Sequence, residues 1–145
     1  MFLQPFTVPH DAREPLQLRC SDGDRHLGIL TDLGHASPHV LHNLAACHAL
    51  LLEFNHDPDL LARSSYHPSL KKRVGGKFGH LCNQDAAQIV QSVLHDELTT
   101  VVAAHLSKQN NHPDLVRSAL ARVLDRDPEE IPVADPLHGT EWLDV

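Results

Sequence analysis

Three short apolar runs in this sequence each end in a residue that can bind a metal ion. The runs HLGILTD, ALLLEFNH and LTTVVAAH end in Asp32, His56 and His105. Near-continuous apolar runs are typical of strands that are buried on both faces of a sheet covered by helices. In such sheets, functional side chains gather outside the carboxyl ends of the strands. The pattern therefore predicts an α/β domain with a polar site at one edge of its sheet.

Signals for helix starts lie between these apolar runs. Ser37 and Asp57 each precede a proline, so each is expected to cap a helix that begins at that proline. We expect Asn83 to cap a further amphipathic helix, and residues 112–125 have apolar side chains at helical spacing. The sequence SDGD predicts a hairpin turn, and IPVAD and EWLDV predict two short final strands. Strands alternating with helices predict a layered domain with a mixed sheet.

The composition limits the possible classes of function. The chain has 145 residues, which fits one domain, and its net charge of −7 argues against a broadly basic surface for nucleic acid. Most of its 13 histidines are expected to be ordinary surface residues, although histidine is also the commonest metal ligand. Three widely spaced cysteines and the lack of an apolar run long enough to span a membrane predict free thiols and a cytoplasmic protein.

Five residues are candidate metal ligands from their positions alone. His10, Asp32, His56 and His105 lie at or just after the ends of apolar runs, and His80 follows a glycine-rich segment. Zinc and similar ions bind imidazole and carboxylate groups, and one carboxylate can bridge two ions. Each residue can equally be a loop or turn residue, since no compact HxxxH or HxHxD motif joins them. A metal site and a set of ordinary loop residues are therefore equal alternatives at this point.

Five segments, taken in order, resemble the C-terminal half of metallo-β-lactamase-fold hydrolases. They read PFTVPHDAREP, GILTDLGH, LLLEFNHDPDLL, GHLCNQDAAQIV and VVAAHLSKQNN. They are most similar to the YycJ/WalJ-type branch, which is related to ribonuclease Z and to metal-dependent exonucleases. The resemblance implies that residues 1–145 are a partial metallo-β-lactamase-like domain. The implied fold is α/β (α+β): the C-terminal half of an αββα sandwich, with a mixed β-sheet and flanking helices.

The resemblance also implies a centre with two divalent metal ions, zinc or manganese. At the matching positions, His10 is a ligand of one ion, Asp32 bridges both ions, and His105 is a ligand of the other. Glu53 and His80 match a catalytic pair that helps to donate a proton to the leaving group.

Further residues are expected around this site. His56 and Asp57, in the NHD segment typical of the branch, are expected to have a supporting role at the site mouth. A basic group precedes two glycines, and it is expected either to bind a substrate phosphate or to form a solvated basic loop. This group consists of Lys71, Lys72 and Arg73.

The sequence lacks the HxHxDH motif that supplies most of the metal ligands in this superfamily. Only nine residues precede His10, so we expect a truncated relative with about two protein ligands for each ion, where catalytic zinc has three. Weak metal binding and little or no hydrolysis by the isolated chain are the expected consequences. A truncated sandwich also exposes an apolar sheet face, so homo-oligomerisation or pairing with a missing N-terminal half is expected.

Two functions stay open. The first is a metal-dependent hydrolase, nuclease-like or phosphodiesterase-like, acting on single-stranded nucleic acid or another phosphodiester. The second is a non-catalytic interaction module, or a degenerate remnant, that pairs with a partner chain. The sequence does not decide whether the chain is an enzyme, and it does not identify the substrate, the metal or the oligomeric state.

Overall fold

The computed structural model describes residues 1–145 and contains one mixed sheet of five strands. The first three strands form antiparallel pairs, and the third, fourth and fifth form parallel pairs. The strands lie side by side in chain order: β1 (Phe2–Thr7), β2 (Leu16–Ser21), β3 (His26–Leu30), β4 (Ala49–Glu53) and β5 (Thr100–Ala104). The predicted mixed sheet with flanking helices is confirmed.

The connections follow from these strand directions, because antiparallel neighbours can be joined by a tight turn whereas parallel neighbours need a crossover. In the turn between β2 and β3, Gly23 has φ +119°, which explains the glycine of the SDGD sequence. One helix joins β3 to β4, three join β4 to β5, and one helix and a 3₁₀ turn follow β5. These are α1 (Pro38–Leu44), α2 (Pro58–Arg63), α3 (Pro68–Val74), α4 (Asn83–Val93), α5 (Pro113–Leu124) and the 3₁₀ turn Pro128–Glu130.

The hydrophobic core combines one face of the sheet with helices α1, α4 and α5. Leu30 and Leu52 from the sheet and Leu44 and Leu120 from the helices are completely buried. Gly28 allows α1 to pack closely on β3, because a Cβ atom at this position would lie 2.8 Å from Leu44 Cδ2. Burial of this face supplies most of the free energy that holds the helices on the sheet.

The other face of the sheet, here called the outer face, is only partly covered. Strand register places a row of apolar side chains on it, which includes Leu3, Leu16, Leu18, Leu27, Ile29, Leu51 and Val102. The exposed fractions of Leu3, Leu16 and Leu18 are 57%, 53% and 36%. Residues 140–145 cross the part of this face nearest β4 and β5 and line an open groove of about 330 Å³. The prediction that β3 is buried on both faces is wrong, since Leu27 and Ile29 are only half-buried on the outer face.

The two predicted final strands are not strands. IPVAD forms a single parallel bridge, Val133 with Ala103, and the chain then turns away. EWLDV forms no ladder, and its main-chain contact with the sheet is the Asp144 carbonyl accepting from the Thr100 hydroxyl at 2.8 Å. The reason is that the terminal segment crosses the outer face, where it meets side chains, instead of following the edge of β5, where it would meet backbone groups.

The cap of α4 also differs from the prediction. The Cys82 side chain, not that of Asn83, accepts the N–H of Asp85 at the start of the helix. The Asn83 amide instead exchanges two hydrogen bonds of 2.9 Å with Asn111, which ties the start of α4 to the loop after β5.

None of the helices combines the length and the apolar character needed to span a membrane. The three cysteines are free thiols, and one of them, Cys47, is buried in the core.

Candidate metal centre

Four side chains that can bind a metal converge at the carboxyl ends of the parallel strands. Asp32 follows β3, Glu53 ends β4, His105 follows β5, and His80 lies in the segment before α4. One potential ligand atom from each of the four lies within 4.8 Å of those of the others. The edge of the sheet at which the sequence predicts a polar site therefore does carry a cluster of imidazole and carboxylate groups.

Glu53 is the centre of the hydrogen bonding in this cluster. Its side chain is completely buried, and its two oxygens accept the backbone N–H groups of Leu81 and Asp32, each at 2.8 Å. Its Oε2 also accepts Nδ1–H of His105 at 2.6 Å and of His80 at 3.0 Å. A buried carboxylate is stable only when its oxygens are satisfied in this way.

The same contacts determine the charge of Glu53. Burial by itself would raise the pKa of this carboxyl, but the hydrogen bonds from His105 and His80 outweigh burial and lower the pKa to about 2. The hydrogen bond to Glu53 is also the main reason that the pKa of His105 is raised, against the opposing effect of burial. Glu53 is therefore a carboxylate at neutral pH, and the two histidines must present an N–H to it.

Three imidazoles are oriented by their Nδ1 atoms, which leaves their Nε2 atoms available. Those of His80 and His105 donate to Glu53, and Nδ1 of His10 donates to the carbonyl oxygen of Gly79 at 2.9 Å. Anchoring one ring nitrogen on a carboxylate or carbonyl is the usual way to position a histidine that binds metal through the other nitrogen.

Asp32 lies among these three rings. Its Oδ1 is 4.0 Å from Nε2 of His10, 3.7 Å from Nδ1 of His80 and 3.9 Å from Nδ1 of His105. The side chains of His10, Asp32 and His105, predicted from the sequence to share a metal centre, thus lie around one point. Their roles as ligands stay predictions.

The backbone at the site has an uncommon conformation. Asp32 has φ +55° and His105 has φ +58°, and the one other non-glycine residue with positive φ is Asp125, after the end of α5. A left-handed residue directly after a strand turns the chain sharply, so the side chain at that position stays at the edge of the sheet. Such conformations are uncommon outside glycine and are concentrated at functional sites.

The donor set fits a divalent ion. Neutral imidazole nitrogens and a carboxylate are ligands of zinc and manganese, and the cluster offers these from His80, His105 and Asp32. His10 lies next to the cluster, with its Nε2 4.0 Å from Asp32 Oδ1. Glu53 fits an outer role better than a ligand role, because its oxygens are already occupied by the N–H groups that orient the other residues.

The two residues predicted to support the site, His56 and Asp57, have different surroundings in the structure. His56 is 3% exposed, its Nδ1 has no hydrogen-bond partner, and it lines a cleft that it shares with His80. Burial is the main cause that lowers the pKa of His56, so the ring is neutral. Asp57 instead caps α2, accepting the N–H groups of Asp59 and Leu60, each at 3.0 Å.

The basic group lies on α3, and two of its three members are already engaged. The Lys71 ammonium donates to the Ala62 carbonyl at 2.6 Å, and Arg73 Nε donates to the Asp11 carboxylate at 2.5 Å. Lys72 is exposed and makes no hydrogen bond or ion pair. The predicted phosphate-binding role of these residues stays a prediction.

Sequence reasoning missed Asp11 as a component of the site. Its Oδ1 lies 3.6 Å from His10 Nε2, and the hydrogen bond from Arg73 lowers the pKa of its carboxyl. Asp11 directly follows His10, which is a local signal, but its partner Arg73 lies 62 residues further along the chain, and no sequence pattern connects them.

Sequence comparison finds relatives among named nucleases, although no protein-family model matches the chain. The chain is 33% identical over 139 residues to exodeoxyribonuclease YycJ of Bacillus anthracis, covering 96% of this chain and 53% of the relative. It is 32% identical over 122 residues to exodeoxyribonuclease WalJ of Streptococcus pneumoniae, covering 84% of this chain and 45% of the relative. The chain therefore spans about half the length of these curated relatives.

Structure comparison supports the metallo-β-lactamase fold that the sequence resemblance implies. The metallo-β-lactamase fold protein YhfI from Bacillus subtilis superposes with a TM-score of 0.67 at 15% sequence identity. The match covers 92% of this chain and 45% of that one. At this level of identity the likeness shows the fold alone.

Proposed function

We propose that this chain, a metallo-β-lactamase-fold protein of the YycJ/WalJ type, carries part of the centre of a metal-dependent hydrolase that cleaves phosphodiester bonds in DNA. The observation that supports this most strongly is the cluster of Asp32, Glu53, His80 and His105 at the carboxyl ends of the parallel strands. The curated relatives are exodeoxyribonucleases by name, which supports DNA as the substrate class.

In this proposal, His10, Asp32 and His105 hold the ions. Divalent ions bound there, zinc or manganese, would provide a hydroxide at neutral pH and stabilise negative charge on the phosphate. The hydrogen bonds that His105 donates to Glu53 and that His10 donates to the Gly79 carbonyl hold the two rings in place. Asp32 Oδ1 lies 4.0 Å from His10 Nε2 and 3.9 Å from His105 Nδ1, and this closeness to both rings supports the proposed bridging role.

His80 is proposed as the general acid. Its Nδ1 donates to the Glu53 carboxylate at 3.0 Å, which fixes the orientation of the ring and leaves Nε2 as the atom that can face a leaving group. His80 is also part of the cleft next to the metal cluster, where a leaving group can reach it. Glu53 is then a positioning residue and His80 the residue that delivers the proton to the leaving oxygen.

We further propose that the chain by itself binds metal weakly and hydrolyses slowly or not at all. His10, Asp32 and His105 offer about two protein ligands for each of two ions, where catalytic zinc has three. The curated relatives are about twice as long as this chain, so we propose that the remaining ligands belong to the part of such a protein that this chain does not match.

The test measures metal content and hydrolysis on the same preparation. Elemental analysis of the purified chain is expected to find less than one tightly held ion per chain, and two tightly held ions would contradict the partial site. Cleavage of bis-p-nitrophenyl phosphate and of single-stranded DNA is then measured with and without added manganese. Any activity due to this chain must disappear in His105→Ala, and activity that survives this substitution is a contaminant.

A second candidate function is a non-catalytic module that pairs with another chain. It is favoured by the outer face, where Leu3, Leu16 and Leu18 are exposed in adjacent strands. Light scattering after size-exclusion chromatography distinguishes the cases. Self-association that Leu18→Lys abolishes supports pairing through this face, and a monomer at all concentrations removes the homo-oligomer from consideration.

A further inference from the structure

A cleft of about 300 Å³ opens beside the metal cluster, and His80 is the one residue of its wall that has a role in the proposed mechanism. It lies between α2, α3 and the start of α4. The side chains that determine its chemistry are those of His56, Leu61, Lys71 and Asp85. Its volume is at the lower end of those known for small-molecule sites.

His56 offers a hydrogen-bond donor to this cleft. The ring is neutral, and its Nδ1 is buried without a partner, so placing the hydrogen there would bury an N–H with no acceptor. The hydrogen therefore belongs on Nε2. This atom faces Gly75, another residue of the cleft wall, since a Cβ at Gly75 would lie 3.8 Å from it.

The other walls complement this donor. Pro58, Leu61 and Ala62 supply apolar surface from α2. Asp85 supplies a carboxylate that is exposed and makes no ion pair. The Lys71 ammonium is held on the Ala62 carbonyl. A phosphate in this cleft would face the Asp85 carboxylate, whereas a flat group with both a donor and an acceptor suits all of the walls.

We propose that this cleft binds one unstacked nucleobase of the nucleic-acid substrate and prefers bases that carry an exocyclic amino group. The inference rests on the proposed function, since the metal cluster places the scissile phosphate beside the cleft. The amino group of cytosine or adenine donates to Asp85, and a ring nitrogen of the same base accepts from His56 Nε2–H. The apolar side chains of α2 cover one face of the base. In the same orientation thymine turns its O4 acceptor towards Asp85 and its N3–H donor towards the His56 N–H, so both hydrogen bonds are lost.

The test compares binding of three small ligands by calorimetry: dCMP, dTMP and 2-deoxyribose 5-phosphate. All three carry the same phosphate, so any binding of the phosphate to a metal ion or to Lys71 is common to them. We expect dCMP to bind about tenfold more tightly than 2-deoxyribose 5-phosphate and several-fold more tightly than dTMP. Equal affinities for the three ligands would overturn the proposal.

Two variants locate the binding. Gly75→Ala adds a methyl group within ordinary contact distance of Leu61 and His56, so it narrows the cleft without a clash. It is expected to weaken dCMP binding and to leave 2-deoxyribose 5-phosphate unchanged, with an unaltered melting temperature. Asp85→Asn is expected to remove the preference for dCMP over dTMP. Asp59→Asn is a matched change in the first turn of α2, outside the cleft, and it must keep the preference for dCMP over dTMP.

The test of the base site can fail or succeed independently of the test of the proposed hydrolysis. A chain that hydrolyses bis-p-nitrophenyl phosphate but binds dCMP no better than 2-deoxyribose 5-phosphate would overturn the base site alone. A chain that prefers dCMP in the way described, with the expected response to both variants, supports the base site even where no hydrolysis is found.

Discussion

Histidines gather at both edges of the parallel sheet, but only one edge has the arrangement of a metal site. At the carboxyl edge, His80 and His105 donate to the same oxygen of Glu53. At the amino edge, His26, His48 and His95 also lie close together, with ring centroids 5.6 and 6.5 Å apart. The number of histidines is similar at the two edges, and the groups that orient them differ.

The histidines at the amino edge form hydrogen bonds with backbone groups. His48 Nδ1 accepts the N–H of His26 at 3.0 Å, and His95 Nε2 donates to the Cys47 carbonyl at 3.0 Å. The nearest carboxylate, Glu97, is 72% exposed and lies 4.0 Å from His48. No buried carboxylate accepts hydrogen bonds from these three rings, so their ligand atoms do not converge. The comparison shows that a buried, fully hydrogen-bonded carboxylate makes the difference between a cluster of histidines and a candidate site.

The largest expected effect comes from removing that carboxylate. Glu53→Ala leaves two backbone N–H groups and two imidazoles without their acceptor, so we expect a loss of about 3–5 kcal/mol in the free energy of unfolding. Urea denaturation measures this. Glu97→Ala at the opposite edge is the matched control and should cost less than about 0.5 kcal/mol, since that carboxylate is mostly exposed. Similar losses for the two variants would contradict the difference between the edges.

A smaller effect is expected on metal affinity. His105→Ala should weaken binding of zinc or manganese by at least about tenfold, because it removes a proposed ligand. His95→Ala, a histidine of the amino edge, should leave the affinity unchanged. Titration of the metal-free chain with each ion, followed by calorimetry, compares the two variants. If His95→Ala has the larger effect, the metal site lies at the wrong edge in our proposal.

The smallest effect concerns pH and the amino edge. Burial is the main cause that lowers the pKa of His26, so the unfolded chain binds more protons at this residue than the folded chain does as the pH falls. This contribution to stability is present above the unfolded pKa of about 6.5 and is lost as the pH falls through that value towards the folded pKa.

His26→Gln is therefore expected to lose less stability than the original chain between pH 7.5 and pH 5.5. Denaturant unfolding at the two pH values measures the difference. His138→Gln, at an exposed position near the C-terminus, serves as the control and should follow the original chain. An identical loss in His26→Gln would show that burial of this histidine has no effect on stability near neutral pH.

Local patterns in the sequence predicted much of the fold. The apolar runs gave β3, β4 and β5 close to their observed bounds, and Ser37 and Asp57 cap helices that begin at the prolines after them. These features depend on neighbouring residues, so the physical causes lie within a few positions of one another. The predictions for the last two segments were wrong because IPVAD forms one bridge to the edge of β5 and the end of the chain then crosses the outer face. That route is not a local property of the sequence.

The candidate site was only partly visible from the sequence for the same reason. Apolar runs followed by Asp32 and His105 predicted where polar groups gather, since strand direction alone brings carboxyl ends together. Only the tertiary structure decided that Glu53 accepts four hydrogen bonds and that Arg73 pairs with Asp11. It also decided that the histidines of the opposite edge form no site. Those outcomes depend on contacts between residues far apart in the chain, and the energy of such contacts depends on burial that exists only once the sheet and helices have packed.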